Sequence, residues 1–325
     1  MKFTELKKHL LTQVKSAYSL YGDDSFLCEN SIELIEKKLF GEILRNNLNK
    51  QVFSTENIDI SNFINALNTL PFFAEKKLVI LKEYDNKKNN ELYSHLESYL
   101  KNPSESTVLI IHRLFESEAL NLKQNIEAVD CNRLDKLFVN AFIKQKLTKQ
   151  NATIEDDAAL TLIDYTNGYL SKINLELDKL VPYTNGKITK NSVEQIVSKD
   201  LEYSIFELTD SLANGNFFKA QQIKQNLLEN KKTSGSVLGL IQNFFRRMFY
   251  ATITTEPISE IATQLKVKEF AITKAKNLGK KFGALNLKKI MELCAELDYK
   301  TKTSQITVEN ATELLILTIQ NMQQK

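Results

Sequence analysis

Nucleotide chemistry needs a phosphate cradle, and one turn of this chain lies where such a cradle would form. The apolar run Ala17 to Tyr21 leads into Tyr21-Gly22-Asp23-Asp24-Ser25-Phe26, and a helical pattern follows. A phosphate-binding loop at a strand-to-helix turn offers glycine backbone N–H groups, a Lys and a Ser or Thr to the phosphates and Mg²⁺. This turn has one Gly, no Lys and two carboxylates. Two negative charges at a helix N-terminus suit the helix dipole and repel a triphosphate. The turn therefore reads as a capped helix start. The other Gly-Lys pairs fail too. Around Gly186-Lys187 the opening Gly is Val181 and the closing hydroxyl is Ile188; around Gly279-Lys280 those positions are Lys274 and Lys281. The apolar runs Leu78 to Leu81 and Val108 to Ile111 lead into Lys82-Glu83 and His112-Arg113, so neither ends in an acidic pair for Mg²⁺.

No other catalytic constellation emerges. His9, His95 and His112 form no HExxH or close metal pair, and no Gly-x-Ser-x-Gly elbow occurs. Cys28, Cys131 and Cys294 are odd in number and far apart, which fits buried thiols in a reducing cytosol better than zinc or a disulfide frame. Charged residues make up 26% and hydrophobic residues 42%, a globular composition. The net charge of +3 is too small to argue for nucleic acid by itself. The first residues lack the apolar core of a signal peptide, and no apolar run approaches the ~18 residues that cross a bilayer. A cytoplasmic protein with no membrane partner is expected.

The elements follow from periodicity. Strands are expected at Ala17 to Tyr21, Val52-Phe53, Leu78 to Leu81, Val108 to Ile111 and Ile126 to Cys131. Unbroken apolar runs of this length suit parallel strands buried on both faces. Asp24 and Ser25 offer a cap for a helix with Cys28, Ile32, Ile35 and Leu39 on one face, and Ser61 to Leu70 reads as another helix. From Leu137 the pattern turns helical, with Thr153 as a cap, a helix from Leu170 to Leu180, breaks at Pro182 and Gly186, and a helix from Asn191 to Val197. From Leu201 only helices are expected, with a loop from Glu229 to Ser236. Three domains result: an α/β domain over 1–134, a small helical domain over 135–200 and a larger helical domain over 201–325. That order resembles AAA+ ATPases carrying a helical oligomerisation module. Lid domains of that class often place Gly-Asp-x-Arg near Gly168-Tyr169-Leu170-Ser171, but here Ser171 replaces the Arg.

One surface motif remains. Leu70-Pro71-Phe72-Phe73-Ala74-Glu75-Lys76-Lys77 precedes the strand at Leu78. Adjacent side chains of a regular strand point to opposite faces, so both rings cannot enter one core from such a strand. Two readings stay open: core packing at a helix-to-strand turn, or an anchor for a partner with one ring exposed and the other supporting it. Arg246, Arg247, Lys274, Lys276, Lys280 and Lys281 form the basic content of the last domain. A solvated helix face explains them more simply than a DNA path, since no stacking aromatics interleave with them.

Taken in order, several of these stretches resemble the delta subunit family of the bacterial DNA polymerase III clamp loader. The motifs are Tyr21-Gly22-Asp23-Asp24-Ser25-Phe26-Leu27, Leu70-Pro71-Phe72-Phe73, Glu176-Leu177-Asp178-Lys179-Leu180, Phe206-Glu207-Leu208-Thr209-Asp210-Ser211-Leu212 and Leu297-Asp298-Tyr299-Lys300. The resemblance implies a degenerate AAA+-like fold with a helical lid and a C-terminal collar, and no catalytic site of its own. It implies no cofactor: ATP is bound by the gamma/tau partner subunits, which with delta-prime complete a hetero-pentamer around primer-template DNA. It further implies that Leu70, Phe72 and Phe73 bind the sliding clamp (beta), with the two Phe as a hydrophobic plug and Leu70 beside or beneath them, and so help open the ring. Delta-prime itself fits poorly, for the four-Cys zinc module and Ser-Arg-Cys motif of its relatives are missing. A degenerate P-loop enzyme and a helical DNA-binding adaptor are the alternatives from other classes.

Overall fold

The computed structural model describes residues 1–41, 47–84, 90–114, 125–229, 237–265, 267 and 269–323. They form two compact units, Met1–Ile163 with Gly168–Ile196, and Asp164–Asn167 with Val197–Lys325. The segments 1–134 and 135–200, separated in the sequence reading, thus share the first unit almost entirely.

The sheet of the first unit has five strands among the described residues: β1 (Ala17–Gly22), β2 (Lys50–Ser54), β3 (Lys77–Lys82), β4 (Thr107–Leu114) and β5 (Glu127–Asp130). Their order is β2-β3-β4-β1-β5 and every pairing is parallel, with Ala17 opposite Leu109 and Leu78 opposite Val108. All five coincide with the expected runs. Parallel strands need crossovers, and α2 (Ser25–Phe40), α3 (Ile60–Asn68) and α4 (Asn90–Lys101) lie within three of them. α1 (Phe3–Thr12) precedes β1. Neither α1 nor α4 is anticipated above, although α4 buries Leu92, Leu96, Tyr99 and Leu100. α3 stops at Asn68 rather than Leu70, with Thr69 as its C-cap.

Burial of both sheet faces explains the unbroken apolar runs. Val79, Leu81, Leu109 and Ile111 pack with Phe63, Leu67, Leu92 and Leu96. The alternate residues Leu78, Ile80, Val108 and Ile110 point the other way and are equally buried. Gly22 closes β1 for a steric reason. A Cβ there would lie 2.2 Å from the carbonyl carbon of Cys131, at a φ of +149°. The tight approach lets Cys131 N–H donate to the Tyr21 carbonyl at 2.7 Å.

The rest of the first unit is mostly helical: α5 (Lys136–Lys149), α6 (Asp156–Tyr165), α7 (Leu170–Tyr183) and α8 (Lys190–Ile196), with β6 (Thr153–Ile154) beside β7 (Lys187–Ile188). Thr153, expected as a helix cap, lies in β6; the helix starts at Asp156, whose acidic first turn suits the dipole. Pro182 sits inside the last turn of α7 rather than beyond it.

The second unit is helical throughout its described residues, with α9 (Leu201–Ala213), α10 (Phe217–Glu229), α11 (Val237–Ile253), α12 (Ile258–Gln264), α13 (Glu269–Phe282), α14 (Ala284–Lys302) and α15 (Val308–Gln323). Leu208, Leu212, Phe245, Leu287, Ile290 and Leu315 belong to its core. The loop expected from Glu229 to Ser236 lies outside the described residues from 230 onward. No described helix is long and apolar enough to cross a membrane. The three cysteines are buried and unpaired, and burial pushes the Cys294 thiol up to about 12.

His112, near the end of β4, is 5% exposed, and neither ring nitrogen has a hydrogen-bond partner among the described residues. Burial lowers its pKa; Glu29 and Glu83 work against that and Lys82 with it. The folded protein therefore holds His112 neutral where the unfolded chain would bind a proton. Stability from this group is full above the unfolded pKa of about 6.5 and falls as pH drops below it. The loss is expected to be at most about 1.4 kcal/mol per pH unit. Urea denaturation at pH 7.5 and 5.5 should show a larger acid loss for the wild type than for His112→Gln.

Candidate functional site

The turn between α3 and β3 is pinned at both ends. The Lys77 ammonium donates to Thr69 Oγ1 at 2.8 Å, and Lys77 N–H donates to the Ser106 carbonyl at 2.9 Å. Burial lowers the pKa of Lys77. Thr107 Oγ1 donates to the Leu67 carbonyl at 2.9 Å, tying the end of α3 to the start of β4. Between these fixed points the chain must project outward.

At its tip the loop is held by one side chain from 23 residues earlier. Asn49 Nδ2 donates to the Phe72 carbonyl at 2.8 Å, and Phe72 N–H donates to Asn49 Oδ1 at 2.6 Å. The two bonds let an amide side chain act as a short strand partner. Asn49 is itself anchored, since its carbonyl accepts from Leu78 N–H at 2.8 Å. Phe73 then takes a φ of +48°, a left-handed conformation that is uncommon for a bulky residue. The result is an aromatic pair turned out together. Phe72 is 59% exposed, Phe73 95%, and their rings meet edge to face at 4.6 Å between centroids.

The structure brings all three expected site residues to one turn. Neither ring enters the core, and Phe72 is the less exposed of the two. Leu70 is 83% exposed. Leaving both Phe side chains in water forgoes roughly 3–6 kcal/mol of burial. A groove of ≈ 480 Å³ adjoins the turn, lined by Leu10, Leu11, Val14, Leu39, Ala74 and Lys76 among others. Asn49 escaped the sequence reading, and its position just before a strand was the one local sign of a turn.

At the opposite end of the sheet, the turn after β1 is filled by the chain itself. Asp24 is fully buried, and its carboxylate accepts from Phe26 N–H at 3.1 Å, Leu170 N–H at 2.6 Å and Ser171 N–H at 3.2 Å. Burial pushes this carboxyl up, and the backbone donors pull it back. Asp23 accepts from Arg133 Nε at 2.9 Å and from Arg133 N–H at 2.9 Å. One backbone donor of α2 and two of α7 are thus spent on a side-chain carboxylate. Ser171 meets that carboxylate through its backbone and its side chain.

Three of the basic residues of the second unit contact α9 or its C-cap. Arg247 pairs with Glu202 at 3.3 Å, Lys274 lies over the Phe206 ring at 4.3 Å, and Lys281 donates to Asn214 at 2.7 Å. No cluster of His, Cys, Asp and Glu among the described residues could hold a metal.

A parallel β2-β3-β4-β1-β5 sheet, a short helical segment and a helical second unit define an AAA+-like protein. Two models of one family match the chain, "DNA polymerase III, delta subunit" over residues 18–132 and "DNA polymerase III delta subunit, C-terminal domain" over residues 202–319. The DNA polymerase III subunit delta of Bacillus subtilis is 28% identical over 96% of this chain and 95% of its own length. A probable DNA polymerase III subunit delta of Aquifex aeolicus is 25% identical over 65% of this chain and 63% of its own. The solved structure of the Bacillus subtilis DNA clamp loader delta protein superposes with a TM-score of 0.66 at 26% identity, covering 98% of this chain and 99% of that one. The chain belongs to the DNA polymerase III delta subunit family.

Asn49→Ala removes both bonds to Phe72 at a half-exposed position. Amide exchange of residues 72–76 is expected to quicken while global stability changes by about 1 kcal/mol or less. Hydrogen-exchange mass spectrometry beside urea denaturation checks both halves.

Proposed function

We propose that this chain is a non-catalytic clamp-loader subunit that binds the ring-shaped sliding clamp through Leu70, Phe72 and Phe73 and favours its open form. The observation that carries the reading is the doubly exposed aromatic pair on a turn that Asn49 holds in shape. Family membership supplies the partner, and the geometry supplies an anchor of the right kind. Burying both rings in an apolar pocket is worth roughly 3–6 kcal/mol before association costs, so further contacts must complete the interface. A pre-shaped turn reduces the ordering cost of binding. Opening needs no chemistry here. The subunit has only to bind the open or strained ring better than the closed one, which shifts the population between them.

The same reading assigns ATP to the gamma/tau partners, with delta-prime completing a hetero-pentamer in the cytoplasm around primer-template DNA. The buried Asp24 carboxylate supports it, because it puts a negative charge among the donors that a phosphate would need.

Phe72→Ala with Phe73→Ala is expected to weaken binding to the organism's own sliding clamp by about 100-fold or more, near 3 kcal/mol. Both rings are exposed, so the melting curve should stay within the range of surface substitutions. Surface plasmon resonance of the wild type and the double variant tests this. Wild-type binding that survives the double change would move the anchor elsewhere, and no wild-type binding at any salt concentration would sink the clamp reading.

A further inference from the structure

Asp24 does more than cap a helix. The other aspartate caps Asp59, Asp135 and Asp200 each accept an N–H of the helix that they begin: Asn62, Phe138 and Glu202 respectively. Asp24 accepts Phe26 N–H of its own helix α2 and also two N–H groups of α7, 146 and 147 residues away. It is fully buried, whereas Asp59 and Asp135 are exposed.

Two helix N-termini, one of 16 residues and one of 14, therefore point their partial positive charge at one carboxylate. Such a convergence is the usual form of an oxyanion site. Here the anion is covalently part of the chain. The next residue reinforces the arrangement without supplying a counter-charge to Asp24. Asp23 pairs with Arg133 and accepts from Tyr169 Oη at 3.3 Å, and the Arg133 guanidinium lies 4.4 Å from the Tyr169 ring centroid. Arg133 is thereby matched to Asp23, and the backbone donors are left to Asp24.

We propose that Asp24 is a built-in counter-anion: its carboxylate occupies the oxyanion position between two helix N-termini and clasps α7 to the α/β sheet without any ligand. The clasp lies at the opposite end of the sheet from the aromatic turn and does not depend on the clamp reading. In a protein that must recruit a ligand to this position, the helical segment would be held only when the ligand is present. In this chain the position is filled at all times.

The test is chemical rescue on the full chain. Asp24→Gly removes the carboxylate and leaves a carboxylate-sized gap lined by the same N–H donors. Its melting temperature is expected to fall by roughly 4–10 °C. Sodium formate should raise it again by several degrees more than sodium chloride of equal ionic strength, while the wild type and Asp59→Gly respond to the two salts alike. An Asp24→Gly protein that melts with the wild type, or gains no more from formate than from chloride, overturns the proposal. Should that variant fail to fold, Asp24→Asn keeps the volume and one acceptor oxygen. Amide exchange at Leu170 and Ser171 is then expected to quicken by roughly tenfold or more against unchanged β4 amides. Unchanged protection at Leu170 and Ser171 overturns the proposal equally.

Discussion

Burial of both faces of the central parallel strands is the constraint on which the rest of this structure depends. Leu78 to Leu81 and Val108 to Ile111 are covered on either side, so none of these eight side chains is available to solvent. Function is left to the two ends of the sheet. A strand of five or six residues separates those ends by about 17–20 Å. In a parallel sheet all strand starts lie at one end and all strand finishes at the other. The turn before β3 thus lies at one end and the turn after β1 at the other.

The two ends have been put to opposite uses. At the finishing end, where sheets of this topology present ligand sites, the donors of α2 and α7 are satisfied by Asp24 and closed to solvent. At the starting end, a turn that could have folded its rings inward holds them out. The contrast is one of polarity. A buried carboxylate lies between helix N-termini at one end, and an exposed apolar pair stands at the other.

Much of this was legible in the sequence because it is local. All five strands were visible as apolar runs between turn residues, and Asp24 was visible as a cap. Phe72 and Phe73 stood out because adjacent residues on a regular strand cannot share a face. Some of the failures have physical causes as well. α1 and α4 do carry the 3.6-residue period, in Leu6 and Leu10 and in Leu92, Leu96, Tyr99 and Leu100, so these two short amphipathic helices were legible although not anticipated; the short β6 and β7 hold together through pairing with each other rather than through propensity. Thr153 looked like a cap because Thr is a good cap; its place in β6 depends on Lys187, which no local window contains.

The same limit hid the details that matter most at both ends. That both rings would be exposed follows from two hydrogen bonds between Asn49 and Phe72 and from the left-handed backbone at Phe73. That Asp24 would serve two helices follows from Leu170 and Ser171, which the sequence places 146 and 147 residues away. In each case a residue type announced a polar or apolar group with something to do, and only the fold supplied its partner. Periodicity reports which face of an element is buried; it carries no information about which distant backbone group a buried carboxylate or a turn amide will meet. A sequence of this class therefore declares its scaffold and its anchors, and it withholds the long-range bonds that fix the direction in which those anchors point.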